Sequence, residues 1–473
     1  MDSKETQVVV VGAGPGGYAA AFYAADLGKK VILIEKDERL GGVCLNRGCI
    51  PSKALLHATE LIHEANESAK RGISFGEPKI ELEKLREWKN GILNKLAQGI
   101  SFLAKKRGVE VIKGRGYFDG SNSLRVETES GQQFIKFEQA IVATGSTAFK
   151  PKSLDLGNPR VMTSRGALEV EEIPAELLVV GGGYIGMELG FVYAGLGSKV
   201  TVIEALDSIL AGADPDLARP VADSAKKKFK EIRTGTKVNS MATVDKQIKV
   251  VSTLPGGEQK EELYDRVLVA VGRKPNSENL GIENTKAELD DRGCIQVNSR
   301  QQTADPSIYA IGDVVGGITL AHKAHKEGRI AVENICGEDA ESTGVVIPAV
   351  VFTDPEVAWV GLTEAEATAQ GIEVAVSKFP WAASGRSLTF DRTDGLTKLI
   401  IDPETERILG VGMVGHGAGE LIAEATLAIE MGATAFDIAQ TVHPHPTLSE
   451  TLMEAAEAFY GSATHVLSKS AKK

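Results

Sequence analysis

One device occurs twice in this chain, and it dictates most of what the chain can become. Gln7 to Val11 is an apolar run, followed by Gly12, Gly14 and Gly17 in GxGxxG spacing, an alanine-rich stretch to Asp26, and a second run, Val31 to Ile34, ending at Glu35. Leu177 to Val180 begins the pattern again, with Gly181, Gly183 and Gly186, a helical stretch, and Lys199 to Ile203 ending at Glu204. In both copies the acidic residue lies 18 positions past the third glycine. The apolar runs read as strands buried in a parallel sheet. The glycines permit a tight turn and let backbone approach a pyrophosphate at a helix N-terminus. A carboxylate at the strand end accepts hydrogen bonds from an adenosine ribose. One such motif is weak evidence, whereas two complete copies predict an α/β protein with two dinucleotide sites. Glu204 would repel a 2′-phosphate, and no Arg occurs from Ala205 to Ala211. The second site is therefore expected to take NAD rather than NADP.

Just after the first copy comes a thiol pair, Cys44 and Cys49, within Gly41 to Lys53. In a straight helix, residues five apart are separated by roughly 7.5 Å along the axis. A disulfide wants Cα atoms about 4.4 to 6.8 Å apart. Gly48 can supply the distortion that closes the gap, and Pro51 is expected to discourage regular helix through Cys49. Cross-linking so short a loop restrains the unfolded chain little. Such a bond suits opening and closing beside a redox cofactor better than stapling. The bland alternative is two unrelated packing thiols.

Composition narrows the class. The chain has 473 residues, enough for three or four domains, and 42% of them are hydrophobic. A net charge of −11 argues against nucleic acid or an anionic membrane surface. Four cysteines do not make a secreted disulfide scaffold, and Cys294 and Cys336 read as packing thiols. The polar start at Met1 shows no signal peptide, and no apolar run reaches membrane-spanning length. The expectation is a soluble cytoplasmic protein; a processed organellar form has the same appearance. No metal site is expected. Ser68 to Arg107 reads as largely helical and charged, a solvated face with no chemistry of its own.

Further motifs complete the set. Ile141 to Ser146 and Val267 to Arg273 read as returning strands with small residues at their ends, and Ile308 to Asp313 as another strand ending in a carboxylate. Gly12-Ala-Gly-Pro-Gly-Gly17, the cysteine segment ending at Pro51, Ser52 and Lys53, Gly181 to Glu188, Ala310 to Asp313, Leu320 to Lys323 and His443 to Glu450 together resemble the pyridine nucleotide–disulfide oxidoreductases over nearly the whole chain. The resemblance implies two Rossmann-like dinucleotide-binding domains, one inserted in the other, plus a C-terminal α+β dimerisation domain. Its expected boundaries are FAD domain 1–148, NAD domain 149–276, an FAD-completing segment 277–345 and an interface domain 346–473. FAD would be held by Gly12, Gly14, Gly17, Glu35, Lys36, Gly42, Lys53, Gly116, Thr144, Gly145, Ser146, Asp313 and Ala321. NAD would be held by Gly181, Gly183, Gly186, Glu204, Val238, Ala270, Gly272 and Arg273.

The resemblance also implies an activity. Electrons would pass from dihydrolipoyl thiols to a Cys44–Cys49 disulfide, then FAD, then NAD. Cys44 would exchange with substrate and Cys49 would face the flavin. Only a thiolate attacks a disulfide, so a base is needed. His445 fits, with Glu450 orienting its ring; His443 reads as structural. Lys53 and Glu188 would pair near the flavin, although each alone reads as a solvated charge. Arg47 either stabilises a thiolate or points to solvent, with solvent favoured, and His325 stands where the family is often acidic or small. The implied partners are a second copy of the chain and the lipoyl domains of a 2-oxo acid dehydrogenase complex or the glycine cleavage system. The rivals are an NADP-linked disulfide reductase of the same family, disfavoured by Glu204, and a subunit whose main role is docking to a multienzyme core.

Overall fold

A computed structural model describes residues 3–467. Met1 and Asp2 of the polar start, and residues 468–473 of the thiol-free tail, lie outside the described residues. The first sheet is parallel in the order 110–113, 31–35, 3–11, 131–142 and 308–310. Val8, Val9 and Val10 are fully buried, because both faces of this sheet are covered. The strand Gly131–Val142 runs on into an antiparallel extension with 123–128 and 115–120. The strand Ile308–Ala310 comes from far down the chain, so a late segment completes an early sheet.

Between them lies a second parallel sheet, ordered 231–233, 199–203, 176–180, 266–269 and 161–162. A three-stranded antiparallel sheet over 237–264 packs on it, placing Ile248, Val250 and Tyr264 against Leu178, Val180 and Val267. The chain leaves and re-enters the first unit through one short ladder, Ser146–Ala148 against Arg273–Pro275.

The C-terminal part is a five-stranded antiparallel sheet, ordered 349–351, 356–361, 408–415, 396–401 and 375–380. The helices Ala418–Glu430 and Glu450–Tyr460 cover it, with Ile422, Leu452 and Phe459 in the shared core. This sheet is clasped to the second unit by a buried cation. Lys398 is 1% exposed, and its Nζ lies 2.6 Å from Asp214, 2.7 Å from Asp216 and 3.2 Å from Glu364. The three carboxylates are close enough together to suggest a metal site, but the ammonium already sits among them. A charge is tolerated in a core only when paired in this way.

Ser68–Arg107 is largely helical, as expected: a short turn of helix, Ser68–Arg71, precedes extended chain, and the long helix is Leu82–Lys106. The expectation that its charges are all solvated needs correction. On that helix Lys89 is buried and donates to the Leu168 carbonyl at 2.6 Å. A lysine's charge says nothing about its burial when a carbonyl lies at the end of its stem.

Candidate active site

The cysteine segment folds as two helices that meet at Gly48. Gly42–Arg47 carries Cys44 and Cys49–Glu67 starts at Cys49, with Gly48 between them at φ −149° and ψ −108°. The break is made by Gly48 alone. Pro51 sits in the first turn of the second helix, where an N–H has no intrahelical partner to lose. The two sulfurs lie 2.6 Å apart as free thiols. Cys49 is exposed and, like Cys44, lines a cavity.

The two thiols are electrostatically unlike. The hydrogen bond with Cys49, aided by burial, pushes the Cys44 thiol up. Cys49 is drawn down to about 7 by the hydrogen bond from Cys44 and by the Lys53 cation, against burial and the Glu188 charge. Its place at a helix N-terminus acts in the same sense. Lys53, one turn along that helix, donates to both Glu188 oxygens at 2.7 and 2.9 Å. Glu188 is 5% exposed and also accepts the Phe352 N–H at 3.0 Å, while Lys53 lies 4.4 Å above the Phe352 ring centre. Three distant stretches of chain thus meet at one ion pair. Farther along the same helix, Glu60 reaches His416 at 3.6 Å and His63 reaches Asp354 at 3.9 Å.

These contacts make a prediction about the reduced protein. Alkylation of Cys49 by iodoacetamide, located by peptide mass spectrometry, is expected to rise with a midpoint near pH 7. Lys53→Met removes the cation that favours the thiolate, so the midpoint moves up. A rise of about one unit would slow labelling at pH 7 roughly fivefold. An unmoved profile would show that Lys53 does not act on this thiol.

The cavity measures 680 Å³, and every residue assigned above to FAD lines it, together with both cysteines, Tyr184, Glu188 and Thr319. Arg273 lines it too. Its guanidinium donates to the Ser146 hydroxyl at 2.6 Å and the Ser146 carbonyl at 2.8 Å, and lies 3.6 Å from Asp313. Arg273 is thus part of the wall of the first cavity, which Tyr184 of the second glycine turn also lines. Arg47 does neither thing expected of it, since it is partly buried in an ion pair with Asp37 at the cavity edge. His325 is exposed on its helix.

The glycine turns test whether dinucleotides fit. A Cβ on Gly17 would lie 1.9 Å from the Gly12 carbonyl oxygen, and one on Gly186 would lie 2.0 Å from that of Gly181. These two glycines are required by the turn itself. Gly14 and Gly183 are different, because a Cβ there meets nothing within 4 Å and both have extended φ/ψ open to any residue. Protein sterics do not demand glycine at either position, whereas a phosphate resting on the helix N-terminus would. The acidic residues match as well. Glu35 accepts the N–H groups of Ala13 and Asp37 at 2.8 and 2.9 Å, and Glu204 those of Gly182 and Leu206 at 2.6 and 2.8 Å. Each carboxylate is held at its turn with lone pairs left for a ribose.

His445 stands apart. Its Nδ1 is 2.9 Å from Glu450, whose other oxygen accepts the Thr447 N–H at 2.8 Å. Burial pushes the Glu450 carboxyl up, but the Thr447 N–H and the His445 ring more than offset this, so it stays ionised below the usual range. Nδ1 therefore carries the proton and Nε2 is the basic atom. The ring is 73% exposed, and no residue beyond Ala324 lines the cavity. His443 is tied down at both nitrogens, to Thr441 and Glu424, each at 2.8 Å.

Sequence reasoning missed Phe352, Tyr184 and Asn276, the last bonding Thr144 through both its carbonyl and its amide. Of these only Tyr184, inside the glycine motif, carried a signal.

Comparison with known proteins adds relatives. The model for the pyridine nucleotide-disulphide oxidoreductases matches residues 6–328, and the one for their dimerisation domain matches 347–456. Dihydrolipoyl dehydrogenase of Vibrio parahaemolyticus is 48% identical over 100% of this chain and 99% of its own length. That of Thermus scotoductus is 47% identical over 98% of this chain and 100% of its own. Among solved structures, LpdA from Mycobacterium tuberculosis has a TM-score of 0.88 at 27% identity, covering 96% of this chain and 99% of its own. The HOCl-induced flavoprotein disulfide reductase RclA from Escherichia coli has 0.85 at 29%, covering 95% and 99%.

Proposed function

Because the chain belongs to the pyridine nucleotide-disulphide oxidoreductases, we propose that it oxidises dihydrolipoyl groups to the lipoyl disulfide and passes the electrons to NAD. The observation that carries this is the paired thiols of Cys44 and Cys49 opening onto a cavity walled by the first glycine turn. The domains are taken as 1–148 with 277–345 for FAD, 149–276 for NAD, and 346–473 for a homodimer interface. Bound FAD would accept electrons from the reduced cysteines and hand them on to NAD.

The chain's own residues do the sulfur chemistry. His445 Nε2 takes the proton from a substrate thiol, and the thiolate attacks Cys44 of the oxidised pair. The Cys44–Cys49 bond breaks, and Cys49 leaves as a thiolate stabilised by Lys53 and its helix N-terminus. The His445 imidazolium gives its proton to Cys44 as it leaves and takes the proton of the second substrate thiol, whose sulfur attacks the substrate sulfur of the mixed disulfide. This attack releases the lipoyl ring and leaves both cysteines reduced, the two electrons having moved from substrate to protein. Arg273 and Asp313 brace the cavity wall through Ser146. Among the described residues no helix is long and apolar enough to cross a membrane. Acting on lipoyl domains of a 2-oxo acid dehydrogenase complex or the glycine cleavage system fits this chemistry.

The purified protein should show a flavin spectrum and oxidise dihydrolipoamide with NAD in strong preference to NADP. Turnover of other disulfides but not dihydrolipoamide would overturn the reading. Glu204→Ala is expected to narrow the NAD/NADP preference by roughly one to two decades, since a hydrogen bond to a charged group is worth about 1.5 to 3 kcal/mol. An unchanged ratio of specificity constants would place the discrimination elsewhere.

A further inference from the structure

A second histidine stands behind the His445–Glu450 pair. The helix Glu450–Tyr460 ends at Gly461, φ +75°, which turns the chain back so that His465 faces the helix it has just left. His465 Nδ1 hydrogen-bonds Glu454 Oε1, and its backbone N–H points at Oε2 at 3.4 Å. Glu454 is 4% exposed. It lies one turn beyond Glu450 on the same face, and Glu457 follows on the next turn with a buried, unpartnered Oε2. Three carboxylates on successive turns therefore stand behind the base, and His465 is set among them.

We propose that His465 is a positioning residue for the base. Its cation balances Glu454, so that Glu450 and His445 feel the field of one carboxylate rather than two. The proposal rests on the functional reading given above. The charged groups acting on His465 are Glu454, Glu450 and Glu457, all from the one helix. The hydrogen bond to Glu454, followed by that group's charge, holds the ring's pKa above its ordinary value, which keeps it protonated more readily. Burial and the Glu454 charge push Glu457 up. Glu454 is thus the carboxylate that most needs balancing.

The test is a charge cycle in the full-length flavin-loaded protein. His465→Gln leaves Glu454 unbalanced. The added negative field favours protonated His445, so the acid-side midpoint of dihydrolipoamide oxidation moves up by about 0.3 to 1 pH unit. His465→Gln combined with Glu454→Gln restores the balance and returns the midpoint to the wild-type value. His465→Lys keeps the cation and leaves the midpoint in place, which covers the case where the glutamine variant folds poorly. The ring of His445, assigned by its loss in His445→Gln, is titrated in parallel by NMR of ¹³C-histidine protein. A shift in His465→Gln cancelled in the double variant is the expected result. Equal midpoints throughout, or a shift that survives in the double variant, would overturn the proposal. Absence of dihydrolipoamide turnover at every pH would instead sink the functional reading, while the NMR titration still decides the role of His465.

Discussion

Cys44→Ser and His445→Gln chains, each inactive as a pure dimer, are expected to regain up to about half the wild-type rate per heterodimer when mixed through reversible dissociation. The expectation follows from where the two groups stand. The cavity that holds Cys44 is lined by residues from Val11 to Ala324 only, whereas His445 projects from the C-terminal domain at 73% exposure. Val442, three residues before it, is 93% exposed. A large apolar side chain left this exposed next to an exposed histidine is what a subunit interface leaves when the partner is removed. If His445 serves the other chain's cysteines, a heterodimer holds one site with both lesions and one with neither. Base catalysis worth roughly 10² to 10⁴-fold then returns at the intact site. If each chain were self-sufficient, every site would keep one lesion. No recovery, with the heterodimer verified by native mass spectrometry, would rule out sharing.

The second large effect should come from filling space that only a ligand uses. Gly14→Val adds a side chain whose Cβ meets no protein atom within 4 Å, in a conformation open to any residue. The chain should fold and dimerise normally yet be isolated nearly colourless, with flavin affinity reduced at least about 10- to 100-fold, the usual cost of overpacking expressed as binding. Gly183→Val should do the opposite, keeping the flavin and raising the KM for NAD by a similar factor. A yellow Gly14→Val protein with unchanged NAD kinetics in Gly183→Val would mean that the two turns do not cradle phosphates.

Much of the fold was legible because its first constraint is local. A glycine turn between a buried strand and a helix is written in ten residues, and repeating it set two of the parallel sheets. The Gly48 distortion was legible for the same reason. Contacts carried by backbone or reached over long separations were not. Phe352 meets Glu188 through an N–H that every non-proline residue has. Lys89 looked solvated because charge was read as exposure, while its partner, Leu168, lies in another unit, and nothing in the sequence singled out Lys398, whose partner Asp214 is likewise distant. Arg273 sat near the second glycine unit in sequence, but the ladder at Ser146–Ala148 returned it to the first cavity.

The helix Cys49–Glu67 is pinned at Lys53, Glu60 and His63 to groups that include Phe352, His416 and Asp354, all made late. A ribosome adding about 5 to 20 residues per second takes roughly 20 to 80 s to travel from Cys49 to His445. Throughout that interval the thiols exist on a nascent chain without His445, and for most of it without Phe352 beside Lys53. If His445 serves the partner's cysteines, full thiol exchange would begin only with release and pairing of finished chains.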